Sequence, residues 1–228
     1  MNIDIGQLRY QPSNLIQHQI AVEIGNQAGN SDLRGWRLRI ACRTATIGRL
    51  DGWFNNSGFG AFRAHPLLEA ARTVGLAATG AGCLAIASHV SRTSWRSDAG
   101  DMRDTQAVVG RSSPFSSLGP TRDGQAKPDL SAPGQRITAA LATGSEKAAD
   151  ERAASTDDRL LTIAGTSMAA PMVTGAVALL LQQKPDRNLA DIRDILSRSV
   201  RRDAHTGPAP WDPIYGMGKL DIVTALRA

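Results

Sequence analysis

The residues best suited to chemistry lie in one short run, Gly165-Thr166-Ser167-Met168-Ala169-Ala170-Pro171. The apolar stretch LLTIAG precedes it and a long apolar run follows, which predicts that Ser167 stands where a strand gives way to a helix. A serine at that point has two uses. As a nucleophile it would attack an acyl carbon, with the free N–H groups and positive dipole end of the helix facing the oxyanion that develops. As a helix N-cap it would only accept a hydrogen bond from the opening turn. Spacing alone leaves both readings open. Gly165, Thr166 and Pro171 support the motif: the glycine is expected to let the backbone bend sharply, and the proline to fall in the opening turn, where its missing N–H costs little. Ala169 and Ala170 are expected to leave room in front of the hydroxyl.

A serine hydroxyl is a poor nucleophile until a histidine takes its proton and an acid orients that histidine. The chain has four histidines, His18, His65, His89 and His205. His18 falls in a helix-like stretch, His65 precedes a proline, His89 lies in an apolar strand and His205 in a late loop, so each reads as structural or surface. Other serine and metal signatures do not fit. Ala169 excludes the G-x-S-x-G elbow and Ala170 stands where an S-x-x-K lysine would be; HExxH, CxxC and Walker sequences are absent from the chain.

The elements that must position Ser167 alternate between strands and helices. SNLIQHQ reads as helix-like, IAVEI as a short strand and GNQAGN as a turn. Alternation in Trp36 to Arg43 predicts a half-buried strand, and residues 31–62 as a whole a small antiparallel insertion. CLAIASHV, at 83–90, predicts a buried strand, followed to Gly134 by a long Ser/Gly/Pro/Asp tract of a kind that tends to be functional. Residues 145–159 read as a surface loop. A helix is predicted from Ser167 to Gln183, closed by Lys184 and Pro185, an amphipathic one over 189–200, and a last short one in KLDIVTALRA. This is α/β organisation.

The bulk numbers exclude several classes. With 42% hydrophobic and 21% charged residues the chain is an ordinary globular one, not a disordered or fibrous one. The formal charge of +5 is dispersed except for Arg198, Arg201 and Arg202, and without interleaved aromatics it points to a solvated face and no nucleic-acid partner. The longest apolar stretch, Met172 to Leu181, is too short to span a bilayer, so no membrane is expected. The start has no signal-peptide pattern, and no compartment is indicated. Cys42 and Cys83 allow either one disulfide or two thiols.

Three ordered blocks resemble the subtilisin-like serine peptidases. GTSMAAPMVTG (Gly165 to Gly175) is similar to that family's nucleophile motif, FSSLGPTRDGQAKPDLSAPG (Phe115 to Gly134) to its FSSxGP…KPDxxAPG segment, and YGMGKLDIVTAL (Tyr215 to Leu226) to its final helix. The resemblance covers about residues 75–228 well and the first third weakly. It implies a parallel sheet flanked by helices, incomplete on the N-terminal side, forming one partial peptidase domain over 1–228. It implies further that Ser167 is the nucleophile of an endopeptidase acting on peptide or protein substrates. The family's second oxyanion donor is an Asn in a turn after a buried strand. In IAVEIGNQAG that position is Asn26, for which a plain Gly-Asn turn is the other reading. The family's D-(T/S)-G and HGTH blocks do not occur in these residues. In the family's order both come before the Asn turn, so the resemblance implies a C-terminal part that lacks the catalytic Asp and His and acts with a segment bearing them. An inactive remnant that binds peptides is the alternative. No cofactor is implied; structural calcium occurs in the family, but no ligand cluster can be assigned.

Overall fold

The computed structural model describes residues 2–10, 17–25, 52–53, 68–97, 99–142 and 159–228. The chain divides into two compact units, Met1–Gly52 and Trp53–Ala228. In the first, strands β1 (Asn2–Tyr10) and β2 (Gln17–Gly25) pair antiparallel, with Asn2 opposite Gly25 and Tyr10 opposite Gln17. His18 therefore lies in a strand and not in a helix. The stretch SNLIQHQ lacks a helix-length apolar period, and the Ile-Ala-Val-Glu-Ile run that follows extends the strand back to Gln17. The antiparallel insertion expected over 31–62 lies, apart from 52–53, outside the described residues.

The second unit is α/β. Strands β3 (Ile86–Val90) and β6 (Leu130–Gln135) pair parallel, with Ile86 opposite Leu130 and His89 opposite Pro133. Parallel neighbours need a long crossover. Here it is the Ser/Gly/Pro/Asp tract, which carries the short antiparallel pair β4 (Ser94–Arg96) and β5 (Met102–Asp104). Strands β7 (Ile137–Ala140) and β8 (Leu160–Ile163) form another antiparallel pair that delivers the chain to helix α1 (Thr166–Gln183). Helices α2 (Leu189–Arg198) and α3 (Ile222–Ala225) follow. Asn188 caps α2 by accepting from Ala190 N (2.8 Å) and Asp191 N (3.1 Å), while Asp191 reaches back to Asn188 N (2.8 Å), a complete capping box.

Side chains alternate across a strand, so β6 sends Leu130 and Ala132 to one face and Ser131 and Pro133 to the other. The first pair joins Ala169, Val173 and Leu180 of α1, Ile192, Ile195 and Leu196 of α2, and Ala225 of α3 in the core. Ala132 and Ala169 are wholly buried, and their small size lets α1 lie close on the sheet. On its other edge β6 is continued by the segment around Lys219, through Ser131 N to Gly218 O (2.9 Å) and Leu220 N to Ser131 O (2.8 Å). The segment at Arg201 then pairs with Lys219 through two backbone bonds of 2.8 and 2.9 Å. Among the described residues no helix is long and apolar enough to cross a membrane, and Cys83 is a free thiol whose Sγ donates to Gly80 O at 3.1 Å.

Candidate active site

Ser167 is the second residue of α1. The N-cap is Gly165, with no side-chain cap, and the Ser167 side chain is exposed and makes no hydrogen bond among the described residues. The hydroxyl is thus not spent on capping. Met168 N bonds Gly165 O at 3.0 Å, while the N–H groups of the first helical positions, Ser167 included, have no partner within the helix. An exposed hydroxyl beside free N–H groups at the positive end of an 18-residue helix is a geometry suited to attack on a carbonyl and to holding an oxyanion.

Three local expectations need correction. Gly165 has φ 164° and ψ 158°, extended backbone open to any residue, and a Cβ there would meet Met168 Sδ only at 3.5 Å. Pro171 is the sixth residue of α1, beyond the opening turn; its ring removes the N–H that would bond the Ser167 carbonyl four residues back. Ala169 turns into the core with no exposure, so of the two alanines Ala170 alone lies open.

A glycine beside the motif that geometry does require is Gly134, near the end of β6. Its carbonyl accepts from Gly165 N at 2.9 Å, joining the two motif blocks directly. A Cβ on Gly134 would collide with Ser88 Oγ and stand 2.7 Å from Gly165 O. Gly134→Ala is expected to cost about 1–3 kcal/mol by overpacking and to displace the start of α1. Urea unfolding checks the first effect; an unchanged midpoint would mean that the contact relaxes freely.

The opposite sheet face is polar. His89 Nδ1 lies 3.2 Å from Ser131 Oγ, and the fully buried Lys219 Nζ donates to Asp203 Oδ2 (2.6 Å) and Gly110 O (2.5 Å). Lys219 also sits 5.1 Å from the Tyr215 ring centre. His205 packs beside Gly110 on this same side. Neither His89 nor His205 is therefore on the α1 face, where a base for Ser167 would have to stand. His65 and Asn26 lie outside the described residues. Among those described, no group of three or more His, Cys, Asp or Glu gathers as metal ligands.

Burial first, then the charges of Lys219 and Arg201, lower the His89 pKa to about 4, with Asp203 opposing. The folded state keeps the ring neutral, whereas the unfolded chain protonates it below about 6.5. Stability is thus complete above pH 6.5 and falls as pH drops toward 4, by about 3 kcal/mol in all. Urea midpoints at pH 7 and 4.5 test this; His89→Gln should flatten the difference. An equal slope in that variant would refute the assignment.

The chain resembles known proteins. The sequence profile of the subtilase family (Peptidase_S8) matches residues 39–218. The serine protease AprX of Bacillus subtilis (strain 168) is 34% identical over 107 residues, 47% of this chain and 23% of that protein. The subtilisin-like protease SBT4.8 of Arabidopsis thaliana is 33% identical over 153 residues, 62% of this chain and 21% of that protein. The chain thus spans less than a quarter of the length of these relatives. Fervidolysin from Fervidobacterium pennivorans, a keratinolytic enzyme related to subtilisin, superposes with a TM-score of 0.47 at 27% identity, over 64% of this chain and 19% of that one.

Proposed function

This chain belongs to the subtilase family, and from that premise we propose that it supplies the nucleophile of a serine endopeptidase. The observation that carries the reading is the free, exposed hydroxyl of Ser167 in the first turn of α1, tied through Gly165 N and Gly134 O to the end of β6. Ser167 Oγ attacks the carbonyl carbon of the scissile bond while a histidine base takes its proton. The Ser167 backbone N–H and the Asn26 side-chain amide hold the oxyanion. The tetrahedral adduct collapses to an acyl-enzyme as the C–N bond breaks and the histidine returns the proton to the leaving amine. Water then hydrolyses the ester by the same steps.

His89 and His205 occupy the far face of the sheet, and none of the four histidines stands in an HGTH block, so the base and its acid are proposed to come from a segment bearing the family's D-(T/S)-G and HGTH blocks. Its substrates are peptide bonds, and no cofactor enters the chemistry. The test is an activated peptide ester assayed with this chain, with a segment carrying those blocks, and with both. Turnover is expected only from the mixture. Turnover by the chain alone would assign the base to one of its own histidines. A mixture that is folded, associated and inert would favour the peptide-binding remnant.

A further inference from the structure

On the sheet face away from α1 lies a cavity of about 480 Å³, within the roughly 300–1,000 Å³ range of small-ligand sites. Its chemistry can be read group by group. Ser131 Oγ stands 3.3 Å from Gly218 O, to which it can only donate, and 3.2 Å from His89 Nδ1; the tautomer that satisfies both contacts at once has the ring proton on Nδ1. His89 Nε2 is then a bare lone pair. It has no partner among the described residues, although the residue is 96% removed from solvent and lines the cavity. The Arg201 backbone is paired with Lys219, but its guanidinium, which lines the same cavity, makes no hydrogen bond or salt bridge among the described residues.

The carboxylate within the lining does not compete for that guanidinium. Asp203 Oδ2 is taken by Lys219 Nζ (2.6 Å) and Oδ1 accepts from His205 N (3.0 Å). Nearby, Asp221 feels the Arg201 charge but makes no salt bridge with it, and its Oδ1 accepts from Thr224 N (3.0 Å) at the start of α3. The cavity therefore offers one guanidinium with no hydrogen-bonded carboxylate and one acceptor with no donor among the described residues. Val90, Val109, Pro133 and Leu220 supply an apolar wall.

We propose that this cavity binds the C-terminal residue of a peptide. The terminal carboxylate pairs with the Arg201 guanidinium, the last amide N–H donates to His89 Nε2, and an aliphatic side chain lies against the apolar wall. A simple anion would use Arg201 and leave His89 Nε2 unsatisfied; a metal ion would face the charges of Arg201 and Lys219. An N-acylated amino acid with a free carboxylate answers all three features. The site does not depend on any chemistry at Ser167.

The test follows the ring-nitrogen signals of His89 by NMR in the full chain during titration with N-acetyl-leucine at neutral pH. Two probes each lack one feature: N-acetyl-leucinamide has no carboxylate, and 4-methylpentanoate no amide. N-acetyl-leucine is expected to shift the Nε2 resonance and to bind at least tenfold more tightly than either. Arg201→Gln alters an exposed side chain, so it tests the pairing in a folded protein. It should weaken N-acetyl-leucine at least tenfold and leave the amide probe unchanged. Equal binding of N-acetyl-leucine and 4-methylpentanoate would reduce the site to a carboxylate site and overturn the peptide reading. So would an Arg201→Gln chain that binds as before, or a His89 signal that does not move at millimolar ligand.

Discussion

Ser167→Ala is expected to lower peptide turnover by roughly 10⁶ in any preparation where this chain, supplied with its base, cleaves peptides; the figure is that measured for a subtilisin, a member of the same family. The loss should fall on kcat, since the hydroxyl forms its bond in the transition state and KM reflects contacts elsewhere. Stability should barely move. The side chain is exposed and makes no hydrogen bond among the described residues, so a surface-type change within about 0.5 kcal/mol is expected. That separation makes the result readable, because a dead variant with a native unfolding midpoint indicts the chemistry and not the fold. If Asn26 has the oxyanion role proposed for it, Asn26→Ala should cost less, on the order of 10²–10³, again a value from a subtilisin. A Ser167→Ala preparation within tenfold of the parent would end the assignment of Ser167 as nucleophile.

Local signals were the ones the sequence stated clearly. Apolar spacing and the Lys184-Pro185 stop predict a helix from Ser167 to Gln183, against the observed Thr166–Gln183. The amphipathic run after Asn188 became α2, because cap and period agree. Single residues inside the motifs were harder to interpret, since their reasons lie in tertiary contacts. Gly165 looks like a bend but is extended, whereas Gly134 has no space for a Cβ, and its obstruction comes first from Ser88 on another strand. Gly216, at φ 64° and with its missing Cβ directed at the carbonyls of Asp129 and Pro128, explains part of YGMGK in the same way.

The placement of charge is hidden for a related reason. The sequence presents its basic residues as dispersed, with Arg198, Arg201 and Arg202 as a solvated run, and those three are exposed. Yet Lys127 is buried, with Nζ on Cys83 O and Asp129 Oδ2 (both 2.7 Å), and Arg193 Nη2 reaches the same carbonyl of Cys83 at 2.6 Å. The lysine and aspartate of the KPD block thereby join the entrances of β3 and β6 with α2. Arg202 likewise donates to the carbonyls of Gly207 (2.8 Å), Pro210 and Met217 (2.7 Å), stapling the loop before Tyr215. Composition counts charges but does not locate them. Lys219 shows the cost of that: its carboxylate partner lies sixteen residues earlier, brought beside it only by the pairing of the Arg201 and Lys219 segments.

Breaking that pair should therefore produce one of the larger stability losses available in the second unit. Lys219 has no exposure, whereas Asp203 is 32% exposed. In Asp203→Asn the side-chain oxygen can still accept from His205 N, but the negative charge is gone and Lys219 remains buried with Gly110 O and the Tyr215 ring. An uncompensated buried charge costs about 3–5 kcal/mol, a large share of the roughly 5–15 kcal/mol that holds a domain folded. The reverse change, Lys219→Met, should be milder, because Asp203 can turn to water and methionine fills much of the vacated space. The double variant, Asp203→Asn with Lys219→Met, should recover most of the loss of Asp203→Asn alone, giving a coupling energy of about 2 kcal/mol or more in a double-mutant cycle. Urea unfolding at pH 7 supplies all four corners of that cycle. Additive losses would show that Lys219 draws its stability from the Gly110 carbonyl and the tyrosine ring, and that the ion pair with Asp203 is incidental.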